Sequence, residues 1–181
     1  MIGELSERPA EPWATLIADA RAGDEAAFTR IVARHHADLV RIAYVVSGDL
    51  DLAAEAAQSA WVVAWRRLGD LRDPMRLRPW LMSIAANQAR QLGRSQRRRA
   101  VREVAILDPT SPSVDSAVAD RIDLGNALAR LEPRDREIVA LRYVAGMDAQ
   151  EIGQAVGMPS GTVRSRLFRA RERLRQELGD D

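Results

Sequence analysis

Residues 143–174 read YVAGMDAQEIGQAVGMPSGTVRSRLFRARERL, and this stretch decides the fold. Gly146 is placed to end one helix, and Asp148 with Glu151 three residues on has the spacing of a capping box opening the next. That short helix turns Ile152 and Val156 inward and stops at Gly157. Beyond Met158-Pro159, Ser160 is positioned to cap a longer, arginine-rich helix. Two helices across a tight glycine-containing turn predict a helix-turn-helix.

At about 100° per residue, Val163, Leu167, Ala170, Leu174 and Leu178 share one side of the second helix and must pack inward. The opposite side carries Gly161, Ser165, Phe168, Arg169 and Glu172, with Arg164 on its flank. An aromatic ring opposite the apolar stripe has no core of its own to enter. Phe168 is therefore a candidate for contact with a thymine methyl or a sugar in the major groove; the alternative is packing against the other domain or a partner protein. Arg164, Ser165 and Arg169 suit base-edge and phosphate hydrogen bonds, while Arg171, Arg173 and Arg175 suit unspecific phosphate attraction or plain surface charge.

Working outward, nearly every other segment also reads as helix. From Asp24, a plausible N-cap, apolar-face positions recur at Phe28, Ile31, Val32, His35, Leu39, Ile42, Ala43 and Val46. Ser47-Gly48-Asp49 breaks that helix. A second, over residues 51–68, is expected to bury Trp61, Trp65 and Leu68 and to expose Glu55, Gln58, Ser59, Val62 and Arg66. Residues 69–79 read as a loop. A third helix from Trp80 is expected to bury Leu81, Ile84, Ala85 and Leu92 before entering an arginine cluster. Residues 103–119 lose the periodicity and gain Pro109, Pro112 and several serines, which marks a linker. Helical pattern resumes at Arg121, with Pro133 at a helix start. No β-type alternation appears. The expected fold class is all-α: two small helical domains joined by a flexible linker, the C-terminal one a helix-turn-helix. The expected boundaries are an acidic tail at 1–13, a first domain at 14–100, a linker at 101–120 and a second domain at 121–181.

The charge pattern fits a chain that meets nucleic acid twice, with two solvated helix faces as the alternative. The formal net charge is only +1, but all the basic residues are arginine and they cluster. Arg94, Arg97, Arg98, Arg99 and Arg102 form one group without an acid. Arg164, Arg166, Arg169, Arg171, Arg173 and Arg175 form another, opposed only by Glu172. The chain has no cysteine, so disulfides and thiolate metal sites are excluded. His35 and His36, the only histidines, are adjacent and lack metal-ligand spacing, so no metal is expected. No nucleophile–base pattern or phosphate loop points to an enzyme, and no cofactor is expected. With no signal pattern and no apolar run long enough to span a bilayer, a cytoplasmic location without membrane insertion is expected.

The run Gly161-Thr162-Val163-Arg164-Ser165-Arg166-Leu167-Phe168-Arg169-Ala170-Arg171 resembles the recognition helix of the extracytoplasmic-function sigma factors, the smallest group of the main bacterial sigma family. The resemblance implies a promoter-specificity subunit of RNA polymerase whose C-terminal domain reads the minus-thirty-five element. The residues placed at that upstream element are Ser160, Thr162, Arg164, Ser165, Phe168, Arg169 and Arg173. One departure is Gly153, where the family usually has alanine; both are small enough for close helix packing, so a slight loss of helix stability is expected.

Residues 80–90, WLMSIAANQAR, resemble the family's segment that recognises and melts the minus-ten element. Asn87, Arg90, Gln91 and Arg94 fall on one stripe expected to face solvent opposite Leu81 and Ile84. By the same resemblance the loop at 71–79 captures an unstacked base, with Arg72, Arg76, Arg78 and Trp80 as candidates; Trp80 reads as core or as a stacking platform. Glu55, Gln58, Ser59, Val62 and Arg66 correspond to the family's docking surface for core polymerase. Ser59 stands where an acid is common, and Ala56 and Ala57 replace bulkier apolar residues. The implied partners are core RNA polymerase, promoter DNA in duplex and single-stranded form, and an inhibitory anti-sigma factor. Two rival readings remain: a free-standing helix-turn-helix regulator that never touches polymerase, and a sigma-like adaptor that has lost promoter opening.

Overall fold

The computed structural model describes residues 13–104 and 119–178, all as helices, turns and short connections. The expected acidic tail and most of the expected linker lie outside those residues. Eight α-helices are described: α1 (Trp13–Arg21), α2 (Glu25–Ser47), α3 (Leu50–Arg67), α4 (Leu77–Val104), α5 (Ala119–Arg130), α6 (Pro133–Tyr143), α7 (Ala149–Val156) and α8 (Ser160–Leu178). Two single 3-10 turns, Leu68–Asp70 and Pro74–Arg76, lie between α3 and α4.

Local chemistry sets the ends of the first helices. The Asp24 carboxylate accepts the amides of Ala26 and Ala27, so two donors that an α-helix leaves unpaired are satisfied. Gly48 ends α2 at φ +74°, in the left-handed region that glycine enters without a Cβ clash, and its amide bonds the Tyr44 carbonyl. Asp49 then caps α3 through the Leu52 amide.

In α3 the wholly buried positions are Ala53, Ala56, Ala57, Ala60 and Ala64. This seam of small residues brings the axis of α3 close to α2 and α4, since interaxial distance is set by the side chains at the contact. The small size of Ala56 and Ala57 therefore has a packing role. The same seam corrects the expectation for Trp65. Ala64 takes the inward position, and the next residue lies about 100° further round. Trp65 is 38% exposed and lies edge-on against Phe28, with ring centroids 4.7 Å apart. Trp61 is buried and donates its indole N–H to His36 Nδ1 at 3.2 Å.

Three helix boundaries differ from expectation. Helix α4 begins at Leu77, inside the expected loop, and reaches Val104, inside the expected linker. Helix α8 begins at Ser160 itself, and the Val163 amide closes its first turn on the Pro159 carbonyl at 3.1 Å. Ser160 is thus the first helical residue and not the cap.

The capping box at α7 is complete: the Asp148 carboxylate accepts the Gln150 and Glu151 amides, and Glu151 accepts the Asp148 amide at 2.8 Å. Gly157 closes α7 at φ +69°. Ile152, Val163, Ile138 and Leu141 are fully buried inside the helix-turn-helix.

The two domains do not stand apart. Helix α6 packs against both α2 and α4, and one continuous apolar cluster runs from Ile31, Leu39 and Met82 to Ile138, Leu141 and Ile152. A satellite cluster of Leu131, Val139 and Ala170 holds α5, α6 and α8 together.

Candidate nucleic-acid interface

Helix α8 is anchored thinly. Of its 19 residues only Val163 and Ala170 are buried; Leu167 and Leu174 are half-buried, and Leu178 is exposed. The outer face is open. Phe168 is 60% exposed, and Thr162, Arg164, Ser165, Arg169 and Arg173 are exposed beside it, with Ser160 half-buried at the start. Arg164, Ser165, Phe168 and Arg169 line one shallow concavity. A neighbouring groove of about 380 Å³ adds Arg142 and the 65%-exposed Tyr143 from the end of α6. Neither Arg142 nor Tyr143 is evident from sequence periodicity, because it is the packing of α8 beside the end of α6 that brings them to this face. Arg142 is itself tied down, donating from Nη1 to the Met147 carbonyl at 3.0 Å.

Arg166 behaves differently from its neighbours. Its side chain turns under α8, where Nη1 lies 2.6 Å from Asp135 and 3.8 Å from Glu132. The bond to Asp135 raises the guanidinium pKa above its ordinary value.

On α4, the expected stripe is only partly free. Gln91 and Arg94 are exposed, and Asn87 is half-buried. Arg90 departs from expectation: its side chain is 16% exposed, its Nε lies 2.9 Å from Glu137 on α6, and its Nη2 donates to Asn87 Oδ1 at 2.7 Å. The cause is the docking of α6 over α4, which a contact between distant segments of sequence creates. Glu137 is 2% exposed and is also held by Arg134 at 2.8 Å. Burial raises its carboxyl pKa, and the two arginines oppose that rise.

The loop residues divide in the same way. Arg72 is exposed, but Arg76 pairs with Glu151 of α7. Arg78 belongs to the first turn of α4, and its Nε donates to Asp38 of α2 at 2.7 Å, which holds the Asp38 carboxyl below its ordinary range. Trp80 is half-buried against the core, yet it also lines an open cleft of about 620 Å³ with Arg72, Asp73, Gln150 and Gln154. Core wall and platform are thus combined in one residue.

On α3, Glu55, Gln58, Val62 and Arg66 are exposed and Ser59 is half-buried, with Val62 at 53%. Periodicity does not reveal the charged residues buried in α6: Asp135, Arg136 and Glu137 are each under 9% exposed. Arg136 donates to the Ala129 and Leu131 carbonyls and so finishes the end of α5. Among the described residues no cluster of His, Asp or Glu could hold a metal ion, and no helix is long and apolar enough to cross a membrane.

Comparison with known proteins matches this geometry to a family. A model described as Sigma-70 region 2 matches residues 31–99, and one described as Sigma-70, region 4 matches residues 121–174. The probable RNA polymerase sigma factor RfaY of Xanthomonas campestris pv. campestris is 34% identical over 169 residues, 88% of this chain but 42% of that protein's length. The ECF RNA polymerase sigma factor SigM of Mycobacterium tuberculosis is 34% identical over 174 residues, 92% of this chain and 84% of SigM. Among solved structures, the chain is similar to the sigma factor RpoE of Bartonella quintana in complex with the anti-sigma factor NepR, with a TM-score of 0.69 and 26% identity; the match covers 85% of this chain and 98% of that one. Two sigma-70 regions in order, and relatives aligned over most of its length, show that this chain belongs to the extracytoplasmic-function group of RNA polymerase sigma factors.

Proposed function

We propose that this chain directs promoter-specific initiation by binding core RNA polymerase and reading two DNA elements with separate domains. In this reading Glu55, Gln58, Ser59, Val62 and Arg66 of α3 dock on the polymerase. Phe168, Arg164, Ser165 and Arg169, with Ser160, Thr162 and Arg173, read the upstream element in the major groove. Asn87, Arg90, Gln91 and Arg94, with Arg72, Arg76, Arg78 and Trp80, recognise and hold the downstream element as its strands separate. The domain limits used are 14–100 and 121–181, with 101–120 between them.

The observation that carries this reading is the 60% exposure of Phe168 among exposed arginines on a helix whose other side is packed. An aromatic ring left in water at that position fits a face made to be covered. The ion pair of Arg90 with Glu137 adds a condition: α6 must leave α4 before Arg90 can meet DNA. Sigma factors are as a rule not enzymes, and the chain is assigned no reaction, metal or cofactor of its own. It works in the cytoplasm, and an anti-sigma protein is its expected inhibitor.

Run-off transcription with purified core polymerase tests the proposal. Transcripts that appear only when the chain is added support it. Stable core binding without any transcript supports the adaptor reading, and specific duplex binding by the chain without polymerase supports the free-standing regulator.

A further inference from the structure

We infer that Arg166 is a positioning residue for upstream-element readout, clamped from beneath by Asp135 so that Phe168 and Arg169 meet the groove at a fixed depth and rotation. The inference rests on the function proposed above and assigns a role to a residue which, by sequence alone, is one more arginine in a basic run.

Three observations support it. First, Arg166 and Phe168 are two residues apart, about 200° round the helix, so the guanidinium points away from the side that Phe168 faces. Its side chain is 26% exposed, whereas Arg164 and Arg169 are open to solvent.

Second, its partners belong to the N-terminal end of α6. Asp135 lies in the first turn of α6, where the helix dipole favours a carboxylate, and is 11% exposed at the side chain. Glu132 precedes that helix. Asp135 is buried and pairs with α8 on the side away from Phe168.

Third, α8 needs such a clamp. Its fully buried side chains, Val163 and Ala170, are both small, and Leu167 and Leu174 pack on the core only half-buried, so apolar packing leaves part of its roll and its slide along α6 to be fixed by polar contacts. A planar guanidinium held by a carboxylate is directional and resists both motions. Contacts to base edges tolerate displacements of only about 0.5 Å or 10–20°. Loosening the clamp should therefore reduce discrimination between sequences before it unfolds the domain.

The test uses core polymerase loaded with the full chain and a promoter library randomised over the upstream element, read by sequencing transcripts. Arg166→Ala is expected to reduce the spread between preferred and disfavoured upstream sequences about tenfold, the effect of losing one good base discrimination. Asp135→Asn, which keeps the shape of a side chain buried away from the exposed face of α8, is expected to do the same. The double variant should be no worse than either single one, because both remove one interaction. Arg166→Lys, which keeps the charge but not the planar fork, should fall between. Thermal melting of each variant, with the assay run below the lowest transition, separates loosening from unfolding.

An unchanged upstream preference in both variants, with only a lower melting temperature, would reduce the ion pair to a structural role and overturn the inference. A uniform loss across all upstream sequences in Arg166→Ala, with Asp135→Asn silent, would make Arg166 a phosphate contact and overturn it as well. Absence of transcripts with the unaltered chain would remove the function on which the inference rests, and is recognisable because it precedes any variant.

Discussion

A methyl group on Gly153 would stand 2.5 Å from the carbonyl oxygen of Met158. That oxygen belongs to the turn between α7 and α8, so the turn presses directly on the one position in α7 that lacks a side chain. Alanine at this position would gain about 1 kcal/mol of intrinsic helix propensity. It would also force the backbone of the turn outward, at an overpacking cost of about 1–3 kcal/mol. The expected result for Gly153→Ala is a net loss of stability in chemical denaturation and weaker upstream-element binding. The sequence alone suggests that glycine and alanine are near equivalents here; the close approach of Met158 reverses that expectation.

Phe168→Ala should separate recognition from stability. At 60% exposure the ring contributes little to its own domain, so unfolding free energy should change by no more than about 0.5 kcal/mol. Upstream binding should fall, and Arg164→Ala or Arg169→Ala should each cost about 1–3 kcal/mol at one base position if the guanidinium contacts a base edge. Chemical denaturation checks the first point; titrations of cognate and scrambled promoter duplexes with core polymerase carrying the chain check the second, and an equal loss on the two would mark phosphate contacts.

Glu137 should be the most sensitive charged residue in the fold. Its carboxylate is 2% exposed and neutralises Arg90 and Arg134, whose side chains are 16% and 25% exposed. Removing it in Glu137→Ala leaves two partly buried guanidinium groups without their counter-ion, a loss of about 3–5 kcal/mol. Calorimetric unfolding of the isolated chain measures this. A change below about 1 kcal/mol would show that the domains are not docked through this residue in solution.

Acid should weaken the first domain through His35. Burial holds its imidazole below the ordinary value of 6.5, so the folded chain prefers the neutral ring. As pH falls through 6.5 the unfolded chain takes up the proton first, and stability is lost from there down to the folded value. The neutral ring lies against Trp13, with centroids 5.5 Å apart. Melting temperature measured from about pH 7.5 to about 5.5 should fall in the wild-type chain and fall less in His35→Leu.

Some of this was legible in the sequence because the cause was local. The capping box needs only Asp148 and Glu151 three apart, and the packed and open sides of α8 need only its periodicity. Gly48, Gly146 and Gly157 each take a positive φ where the sequence suggests a helix end. What the sequence could not express were contacts between distant segments. Arg90 follows a periodicity that faces it outward, yet a carboxylate from the other domain covers it. Arg78, Arg76 and Arg166 look like free cations but find Asp38, Glu151 and Asp135. Trp65 sits on an apolar stripe, but the alanine seam of α3 fills the inner space without it. In each case the missing information was the partner's position.

Mapping transcription start sites on genomic DNA transcribed by core polymerase, alone and with the chain, asks whether the chain confers promoter choice through two DNA elements. Starts should depend on the chain and be preceded by two shared sequence elements, with Arg164→Ala relaxing only the upstream one. Starts that share no upstream sequence, or that do not depend on the chain, would contradict the proposed function.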